Sequence, residues 1–187
     1  MNLILASTSP RRHALLSEAG FIFTIHAADI DESQRAGELP KPFALRLAKE
    51  KAGAVAAHYQ NPADVILAAD TIVCCDDKIF GKPKNQEQAR DMLTALSGRA
   101  HEVITAYCIL TPTKQRVICD TETTVVHFRT LTDVEITAYV ATGEPMDKAG
   151  AYAIQGGAKN FVKKTIGSLT NVIGLPMERI TALLFTP

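Results

Sequence analysis

Leu3–Arg12 reads Leu-Ile-Leu-Ala-Ser-Thr-Ser-Pro-Arg-Arg, which predicts a buried strand that turns directly into a helix. The apolar run Leu3–Leu5 is typical of a short buried strand. Ser9 is a favourable N-cap residue, and Pro10 suits the first helical position because the N–H that it lacks would be unpaired there anyway. The segment therefore predicts a strand–loop–helix unit of the kind that recurs in α/β folds.

Two arginines conflict with the helix that this segment predicts. Arg11 and Arg12 fall in its first turn, where the helix dipole is positive and acidic residues are favoured. Each cation there costs roughly 0.3–1 kcal/mol, a cost that a bound anion would remove. Free N–H groups, the two guanidiniums and the hydroxyls of Ser7, Thr8 and Ser9 would together hold a polyphosphate. The alternative is that both arginines point into water.

The composition is that of a globular domain. The 187 residues suffice for one domain with a sizeable core, and 47% are hydrophobic. The 20 basic and 20 acidic side chains cancel, so no net field attracts nucleic acid or a membrane surface. We therefore expect a cytoplasmic protein without a nucleic-acid partner or a membrane span. The cysteines have no zinc-site spacing, and we expect all four to be reduced thiols: Cys74, Cys75, Cys108 and Cys119.

Hydrophobic periodicity and turn signals predict the remaining elements. In the first helix we expect Ala14, Leu15 and Leu16 to face inward. Helices are predicted over 10–19, 42–58, 85–97, 132–143 and 176–184, and strands over 3–5, 21–25, 65–69 with a second apolar run at 72–74, 78–80, 103–110, 117–128 and 161–166. The two antiparallel strands after residue 100, with the helix that follows them, are expected to form a second lobe.

A carboxylate and a hydroxyl interrupt the apolar strand that begins at Val65. Asp70 and Thr71 are predicted at the carboxyl end of a central strand, where α/β sheets place their chemistry. A carboxylate between two apolar runs needs a partner if it is buried. The alternative for Asp70 is a capping or turn residue.

Four further polar residues are candidates for binding, and each has an ordinary structural alternative. Glu32 lies in the acidic loop 27–38. Either this loop is only a solvated surface, or the Glu32 carboxylate helps to bind a divalent cation. Lys51 lies on the polar side of a predicted helix, where lysines are mostly solvated. The rigid Pro83 fixes the backbone next to Lys82 and thereby the direction of the lysine side chain, which makes Lys82 a candidate for binding phosphate. Gln155 either reads a nucleobase edge with its side-chain amide or is an ordinary loop residue.

Motifs spread along nearly the whole chain resemble the Maf family of nucleoside triphosphate pyrophosphatases. Each motif is weak alone, but their order is specific. They are Ser-Thr-Ser-Pro-Arg-Arg at 7–12, Ala-Asp-Thr at 69–71, Gly-Lys-Pro at 81–83, Ser-Gly-Arg-Ala-His at 97–101, Gly-Glu-Pro-Met-Asp-Lys-Ala-Gly-Ala-Tyr at 143–152, Ile-Gln-Gly at 154–156 and Gly-Leu-Pro at 174–176. The polar run at 156–160 departs from the family pattern.

The resemblance implies a fold and a reaction. The fold is α/β and inosine triphosphatase-like, with an elongated mixed sheet and flanking helices that form two lobes around a central cleft. The whole chain, 1–187, is then one Maf-like domain with an N-terminal phosphate-binding lobe and a smaller second lobe, often assembled as a homodimer. The implied reaction cleaves a nucleoside triphosphate to the monophosphate and pyrophosphate with a divalent cation, Mg²⁺ or Mn²⁺.

The resemblance also implies roles for individual residues. Asp70 matches the proton acceptor, and Glu32 with Asp70 are candidate metal ligands. Triphosphate binding is implied for Ser7, Ser9, Arg12, Lys51 and Lys82. The dTTP/UTP branch carries Arg after Ser-Pro, Thr after the catalytic Asp and Gln before Gly, as found here at Arg11, Thr71 and Gln155. The 7-methyl-GTP branch carries an aromatic residue, Gln and Glu at those places.

Two other classes of function stay open at the level of sequence. A non-catalytic nucleotide-binding module that regulates cell division is opposed by Asp70, because a carboxylate near a triphosphate disfavours binding unless a metal or catalysis requires it. A phosphatase or kinase acting on a smaller phosphorylated substrate is disfavoured by the base-selecting positions. For the pyrophosphatase, the expected role is to limit incorporation of non-standard nucleotides, including modified pyrimidines, with a link to arrest of cell division.

Overall fold

The computed structural model describes residues 1–114 and 116–185, within which strands and helices alternate. The strands are β1 Asn2–Leu5, β2 Phe23–Ile25, β3 Asp64–Cys75, β4 Lys78–Phe80, β5 Ala100–Thr111, β6 Arg116–Phe128 and β7 Val162–Ile166. The α-helices are α1 Pro10–Glu18, α2 Pro40–Ala56, α3 Gln86–Leu96, α4 Asp133–Ala141, α5 Leu169–Ile173 and α6 Met177–Phe185. Short 3-10 turns lie at Pro112–Lys114, Glu144–Asp147, Ala149–Ala151 and Gly157–Phe161.

The strands form one mixed sheet in the order β2-β1-β3-β5-β6-β7, with β4 paired to β3. β1 is parallel to both neighbours, so that Leu3 lies opposite Phe23 and Val65. β4 and β7 pair antiparallel with their neighbours. The α/β class and the mixed sheet that were predicted are therefore confirmed.

The first helix forms as the sequence predicts, with a different inward face. Pro10 occupies the first helical position, and Gly20, at φ 79°, adopts the left-handed conformation that follows the helix end. Leu15 and Leu16 are buried, but Ala14 is exposed. Residues 12, 15 and 16 share the buried face because helical neighbours recur three and four positions apart, and position 14 falls outside it. The expected inward orientation of Ala14 is wrong.

Three other helices follow the predicted local signals. α2 buries Phe43, Leu47, Ala48, Ala52 and Val55, and it begins two residues before the predicted start, with a proline at its first position. The side chain of Asn85 accepts a hydrogen bond from Gln88 N at 2.8 Å and caps α3. Thr132 and Glu135 form the capping box that begins α4. The five-residue α5 was not predicted.

β3 continues without a break through the position at which its end was expected. The strand runs from Asp64 to Cys75, so Asp70 lies inside it and not at its carboxyl end. The parallel pairing with β1 stops at Leu67, three residues before Asp70. The strand then continues into the hairpin with β4, whose turn residues Asp76 and Asp77 have φ values of 50° and 59°.

The chain divides into two compact units, and the long strands run through both. Unit 1 comprises Met1–Asp70, Thr105–Glu122 and Gly174–Pro187, and unit 2 comprises Thr71–Ile104 and Thr123–Ile173. Fully buried side chains in unit 1 include Ile4, Leu16, Ile66, Leu175 and Ile180. Unit 2 has an aromatic-rich core whose rings are Phe80, Phe128, Tyr139, Tyr152 and Phe161. The predicted two lobes and the cleft between them stay a prediction.

The cysteines do not all behave as expected. Cys108 on β5 and Cys119 on β6 are joined in a disulfide bond, so the expectation of four reduced thiols is wrong for this pair. Each lies three residues from the turn that connects Thr111 to Arg116, and adjacent strands linked by so short a connection place these positions opposite each other. Cys74 and Cys75 are buried free thiols. None of the helices in the described part of the chain has the length and apolarity that a membrane crossing requires.

Candidate active site

The loop between β1 and α1 is organised by the hydroxyl of Ser7. Ser7 is buried, and its Oγ accepts hydrogen bonds from the backbone N–H of Ser9 at 3.2 Å and from Nη1 of Arg12 at 3.1 Å. His13 Nε2 contacts the Ser7 carbonyl oxygen at 2.9 Å. Ser9 stands at the N-cap position, but its side chain makes no capping bond, contrary to expectation. The loop is thus held by Ser7, and the first turn of α1 presents backbone N–H groups that the helix itself does not pair.

Arg12 is buried and not solvated, which rejects the alternative that it points into water. Its exposed fraction is 9%, and its Nε donates to the carbonyl oxygen of Gly174 at 3.0 Å, across 162 positions of sequence. Burial lowers the pKa of the Arg12 guanidinium, and the Asp70 carboxylate opposes this effect. The neighbouring Arg11 is half-buried. A guanidinium held inward at the start of a helix is suited to meet an anion.

The ammonium group of Lys51 joins the two predicted carboxylates. Lys51 Nζ lies 2.7 Å from Asp70 Oδ1 and 2.8 Å from Glu32 Oε1. Lys51 and Asp70 are each 8% exposed, whereas Glu32 reaches the ammonium group from the exposed loop 27–38. The alternative that Lys51 is a solvated lysine on the polar side of α2 is therefore rejected. We call Arg12, Glu32, Lys51 and Asp70 the charged cluster.

The donor set of the charged cluster fits a divalent cation that also binds phosphate. Among the described residues, no three His, Cys, Asp or Glu side chains group to hold a metal. Mg²⁺, however, is commonly bound by one or two carboxylates with waters and substrate phosphates. Glu32 and Asp70 supply two carboxylates whose oxygens reach the same ammonium nitrogen, so they share one small region. The residues present are therefore compatible with such a metal.

The other predicted site residues lie in unit 2. Thr71 is half-buried and follows Asp70 directly on β3, so the two side chains point to opposite faces of the strand. Lys82 is exposed in the loop after β4 and precedes the buried Pro83. The carbonyl oxygen of the adjacent Gly81 accepts a hydrogen bond from Gly150 N at 3.1 Å, which anchors this loop.

Gln155 is exposed on a loop that is held by residues the sequence reasoning did not single out. Glu144 and Tyr139 bind backbone N–H groups on either side of Gln155. We call 153–157 the Gln155 loop. The Gly-Glu-Pro motif at 143–145 was the available signal for Glu144, but no role followed from it. Likewise, the Gly-Leu-Pro motif at 174–176 contains the carbonyl group that Arg12 binds.

Comparisons with known proteins identify relatives that match nearly the whole chain. A family model described as Maf-like protein matches residues 2–186. A protein of Geobacter metallireducens named dTTP/UTP pyrophosphatase is 52% identical over 94% of this chain and 90% of its own length. Proteins of the same name from Geotalea uraniireducens and Desulfotalea psychrophila are 49% and 47% identical, over 97% and 98% of this chain and 93% of their own lengths.

Solved structures of low sequence identity share the fold. The Ham1 protein of Staphylococcus aureus has a TM-score of 0.54 at 13% identity, and the match covers 98% of each chain. A HAM1 protein from Coxiella burnetii has a TM-score of 0.53 at 14% identity, with both chains covered completely. The expected inosine triphosphatase-like fold is therefore confirmed.

Proposed function

This chain belongs to the Maf family, and we infer that it hydrolyses dTTP and UTP to the nucleoside monophosphate and pyrophosphate. It is a nucleoside triphosphate pyrophosphatase. The observation that supports a catalytic centre is the charged cluster, because a buried lysine and a buried aspartate lie 2.7 Å apart beside a buried arginine. Burial of three charged groups is costly, and a structural core gains little from it.

Asp70 is the general base of the proposed reaction. Lys51 holds the Oδ1 oxygen of Asp70, which fixes the orientation of the carboxylate on β3. The second oxygen, Oδ2, then accepts the proton of the water that attacks the α-phosphorus. The bond between the α-phosphorus and the bridging oxygen breaks, and the electron pair leaves on pyrophosphate.

Cationic and hydroxyl groups bind the triphosphate and offset the charge that develops on pyrophosphate. Ser7, Ser9 and Arg12 lie on the loop and helix start that suit an anion. Lys51 can exchange a carboxylate contact for a phosphate oxygen, and Lys82 supplies a second ammonium group from its loop. Each charge-assisted bond that tightens as the leaving group departs stabilises the transition state.

Glu32 and Asp70 would hold the divalent cation, for which we propose Mg²⁺ or Mn²⁺. When bound, such a cation polarises a phosphate oxygen and lowers the pKa of bound water. Proteins commonly bind Mg²⁺ through one or two carboxylates together with phosphates of the nucleotide, and Glu32 and Asp70 would supply the two carboxylates. We expect turnover to stop in EDTA and to return when Mg²⁺ or Mn²⁺ is added in excess.

Arg11, Thr71 and Gln155 are proposed to select the pyrimidine base. The side-chain amide of Gln155 offers one acceptor and two donors, which suits a base edge that presents carbonyl and imide groups. Gln155 is exposed, so its amide is accessible to a ligand. A cytoplasmic location, a homodimer, action on modified pyrimidine nucleotides and a link to cell division likewise stay proposals.

A product-resolved hydrolysis panel tests the function. Wild-type protein is incubated with dTTP, UTP, CTP, GTP and 7-methyl-GTP in Mg²⁺ or Mn²⁺, and pyrophosphate, phosphate and nucleotide products are separated. We expect pyrophosphate with dTMP or UMP. Release of inorganic phosphate would contradict the cleavage site, and preferential hydrolysis of 7-methyl-GTP would contradict the base assignment. Binding without turnover would favour a regulatory nucleotide-binding module.

A further inference from the structure

Glu144 forms a bridge between helix α4 and the Gln155 loop. Its Oε1 accepts a hydrogen bond from the Tyr139 hydroxyl at 2.8 Å. The backbone N–H of Gly157 donates to both carboxylate oxygens, at 3.2 Å to Oε1 and 3.1 Å to Oε2. The carboxylate therefore ties the chain two residues after Gln155 to a side chain of α4.

The same pair of side chains also holds the chain before Gln155. The Tyr139 hydroxyl oxygen accepts a hydrogen bond from the backbone N–H of Ala153 at 3.3 Å. Tyr139 is 5% exposed, and its ring packs against Phe161 with centroids 5.2 Å apart, so its position is set by the core of unit 2. Gln155 thus projects from a loop whose two arms are bound to one rigid tyrosine–glutamate pair.

Glycine at positions 156 and 157 lets the loop pass close to this pair. A Cβ on Gly156 would lie 2.0 Å from Glu144 Oε1, and a Cβ on Gly157 would lie 3.1 Å from the Tyr139 ring. A side chain at position 156 would displace the Glu144 carboxylate from the place where it binds the Gly157 N–H. The two glycines after Gln155 therefore serve a close approach of backbone to Glu144, which sequence alone does not explain.

We propose that Glu144 and Tyr139 are positioning residues for base selection, acting through the loop that carries Gln155. This inference rests on the proposed function, in which Gln155 reads the pyrimidine. Two donors, the Tyr139 hydroxyl and the Gly157 N–H, converge on the carboxylate of Glu144, and both of its oxygens accept from Gly157. In a Glu144→Gln variant an NH2 donor replaces one carboxylate oxygen and faces the Gly157 N–H donor, and the remaining hydrogen bonds lose their charge assistance, so the bridge is weakened.

The test compares four variants by kcat and KM for dTTP, UTP and CTP. Glu144→Gln and Tyr139→Phe remove parts of the bridge, and Gln155→Ala removes the proposed reader. Thr132→Ala removes the cap of α4 without touching the Gln155 loop, so it is the control for loss of stability alone. All assays are run well below the melting temperature of the least stable variant.

We expect both bridge variants to lower the ratio of kcat/KM for dTTP over CTP by about tenfold, mainly through KM for dTTP. The control Thr132→Ala keeps the wild-type ratio while its Tm falls. Adding Glu144→Gln to Gln155→Ala lowers the ratio no further, because the two changes act on one reader. Exchange of the Gly157 amide proton, followed by NMR, becomes at least about tenfold faster in Glu144→Gln.

Failure of this inference and failure of the proposed function give different results. If Gln155→Ala loses selectivity while Glu144→Gln and Tyr139→Phe keep it, the positioning role is wrong and the base assignment stands. If Gln155→Ala keeps the wild-type ratio, the base assignment is wrong, and the positioning role is overturned with it. An unchanged exchange rate for the Gly157 amide in Glu144→Gln would contradict the bridge itself.

Discussion

The charged cluster and the Gln155 loop are built by different means, although both are assigned to one substrate. Three of the four side chains of the charged cluster are buried on regular elements, with Arg12 on α1, Lys51 on α2 and Asp70 on β3, and only Glu32 comes from a loop. The Gln155 loop exposes its key residue and is held through backbone N–H groups by Glu144 and Tyr139. The residues proposed for catalysis are thus mostly buried, whereas Gln155, which is proposed to select the base, is exposed on an anchored loop.

This difference has an energetic reason. Electrostatic interactions strengthen when water is excluded, so catalysis gains from buried charges that the scaffold holds in place. Selection of a base needs an exposed hydrogen-bonding edge, whose accuracy comes from fixing the backbone beside it. Changes in the charged cluster should therefore affect both stability and rate strongly, whereas changes near the loop should mostly affect selectivity.

The largest expected effect is on turnover, in the Asp70→Asn variant. Loss of the general base should lower kcat by about 10²–10⁴-fold, while nucleotide binding measured by calorimetry is retained. The matched control is Asp64→Asn, a buried aspartate on the same strand that binds Asn2 and the backbone of Asn61. An unchanged kcat in Asp70→Asn would contradict the base assignment.

The next effect concerns stability, in the Lys51→Met variant. Removing the ammonium group leaves Asp70 buried without the cation that pairs with it, so the free energy of unfolding should fall by about 3–5 kcal/mol. Denaturant titration measures the loss, and the exposed Lys49→Met on the same helix is the control. Adding Asp70→Asn to Lys51→Met should recover part of the stability. A loss below about 1 kcal/mol, typical of surface pairs, would mean that the cluster is effectively solvated.

Unit 2 has a buried titratable group of its own, which makes its stability depend on pH. Burial lowers the pKa of His101 from its ordinary value of 6.5 to about 4, and its Nε2 lies 2.8 Å from the Tyr152 hydroxyl. Between those pH values the unfolded chain binds the proton and the folded chain does not. Stability should therefore fall as pH drops from 6.5 to 4, by about 3 kcal/mol from this group.

Denaturant titration at several pH values measures this slope, and His101→Gln should flatten it, because the amide does not titrate in that range. The exposed His58→Gln is the matched control and should keep the wild-type slope. Carboxylates make the free energy of unfolding depend on pH only at lower pH. The hydrogen bond from Arg129 lowers the pKa of Glu135 to about 2, so the stability that this group contributes is lost only as pH falls below 4.5. An unchanged slope between pH 6.5 and 4 in His101→Gln would contradict the assignment of this window to His101.

The smallest effect is expected for Lys82→Ala, which removes an exposed cation from the loop after β4. Loss of one charge-assisted hydrogen bond at an exposed site should lower kcat/KM for dTTP by about tenfold, with little change in Tm. Lys84→Ala, two positions along the same loop, is the control. Equal kcat/KM for Lys82→Ala and wild type would remove Lys82 from the triphosphate site.

Local signals predicted most of the elements correctly. The capping box of Thr132 and Glu135, the Asn85 cap and the Asp76–Asp77 turn each depend on a few neighbouring residues, so they can be read from the chain. The errors arose where local rules compete with packing. Apolar character alone predicts an inward Ala14, and the polar pair Asp70–Thr71 predicts a strand end that packing does not produce.

The disulfide bond between Cys108 and Cys119 is a second feature that local sequence rules do not predict. Cys108 and Cys119 were interpreted one at a time, as ordinary thiols of a cytoplasmic protein. The predicted hairpin already placed them at equal distances from its turn, but the bond depends on two side chains meeting across β5 and β6. The pairing required the two predictions to be combined in three dimensions.

The sequence by itself determined the α/β class, the strand–loop–helix start and the motifs that carry the family resemblance. These follow from periodicity, capping and residue order, which are properties of short stretches of chain. Only the tertiary structure decided that Lys51 is buried between Glu32 and Asp70, that Arg12 binds Gly174, and that Glu144 holds the Gln155 loop. The reason is physical, because a buried charge or a bound loop is stable only when groups distant in sequence meet and replace the water that each one loses.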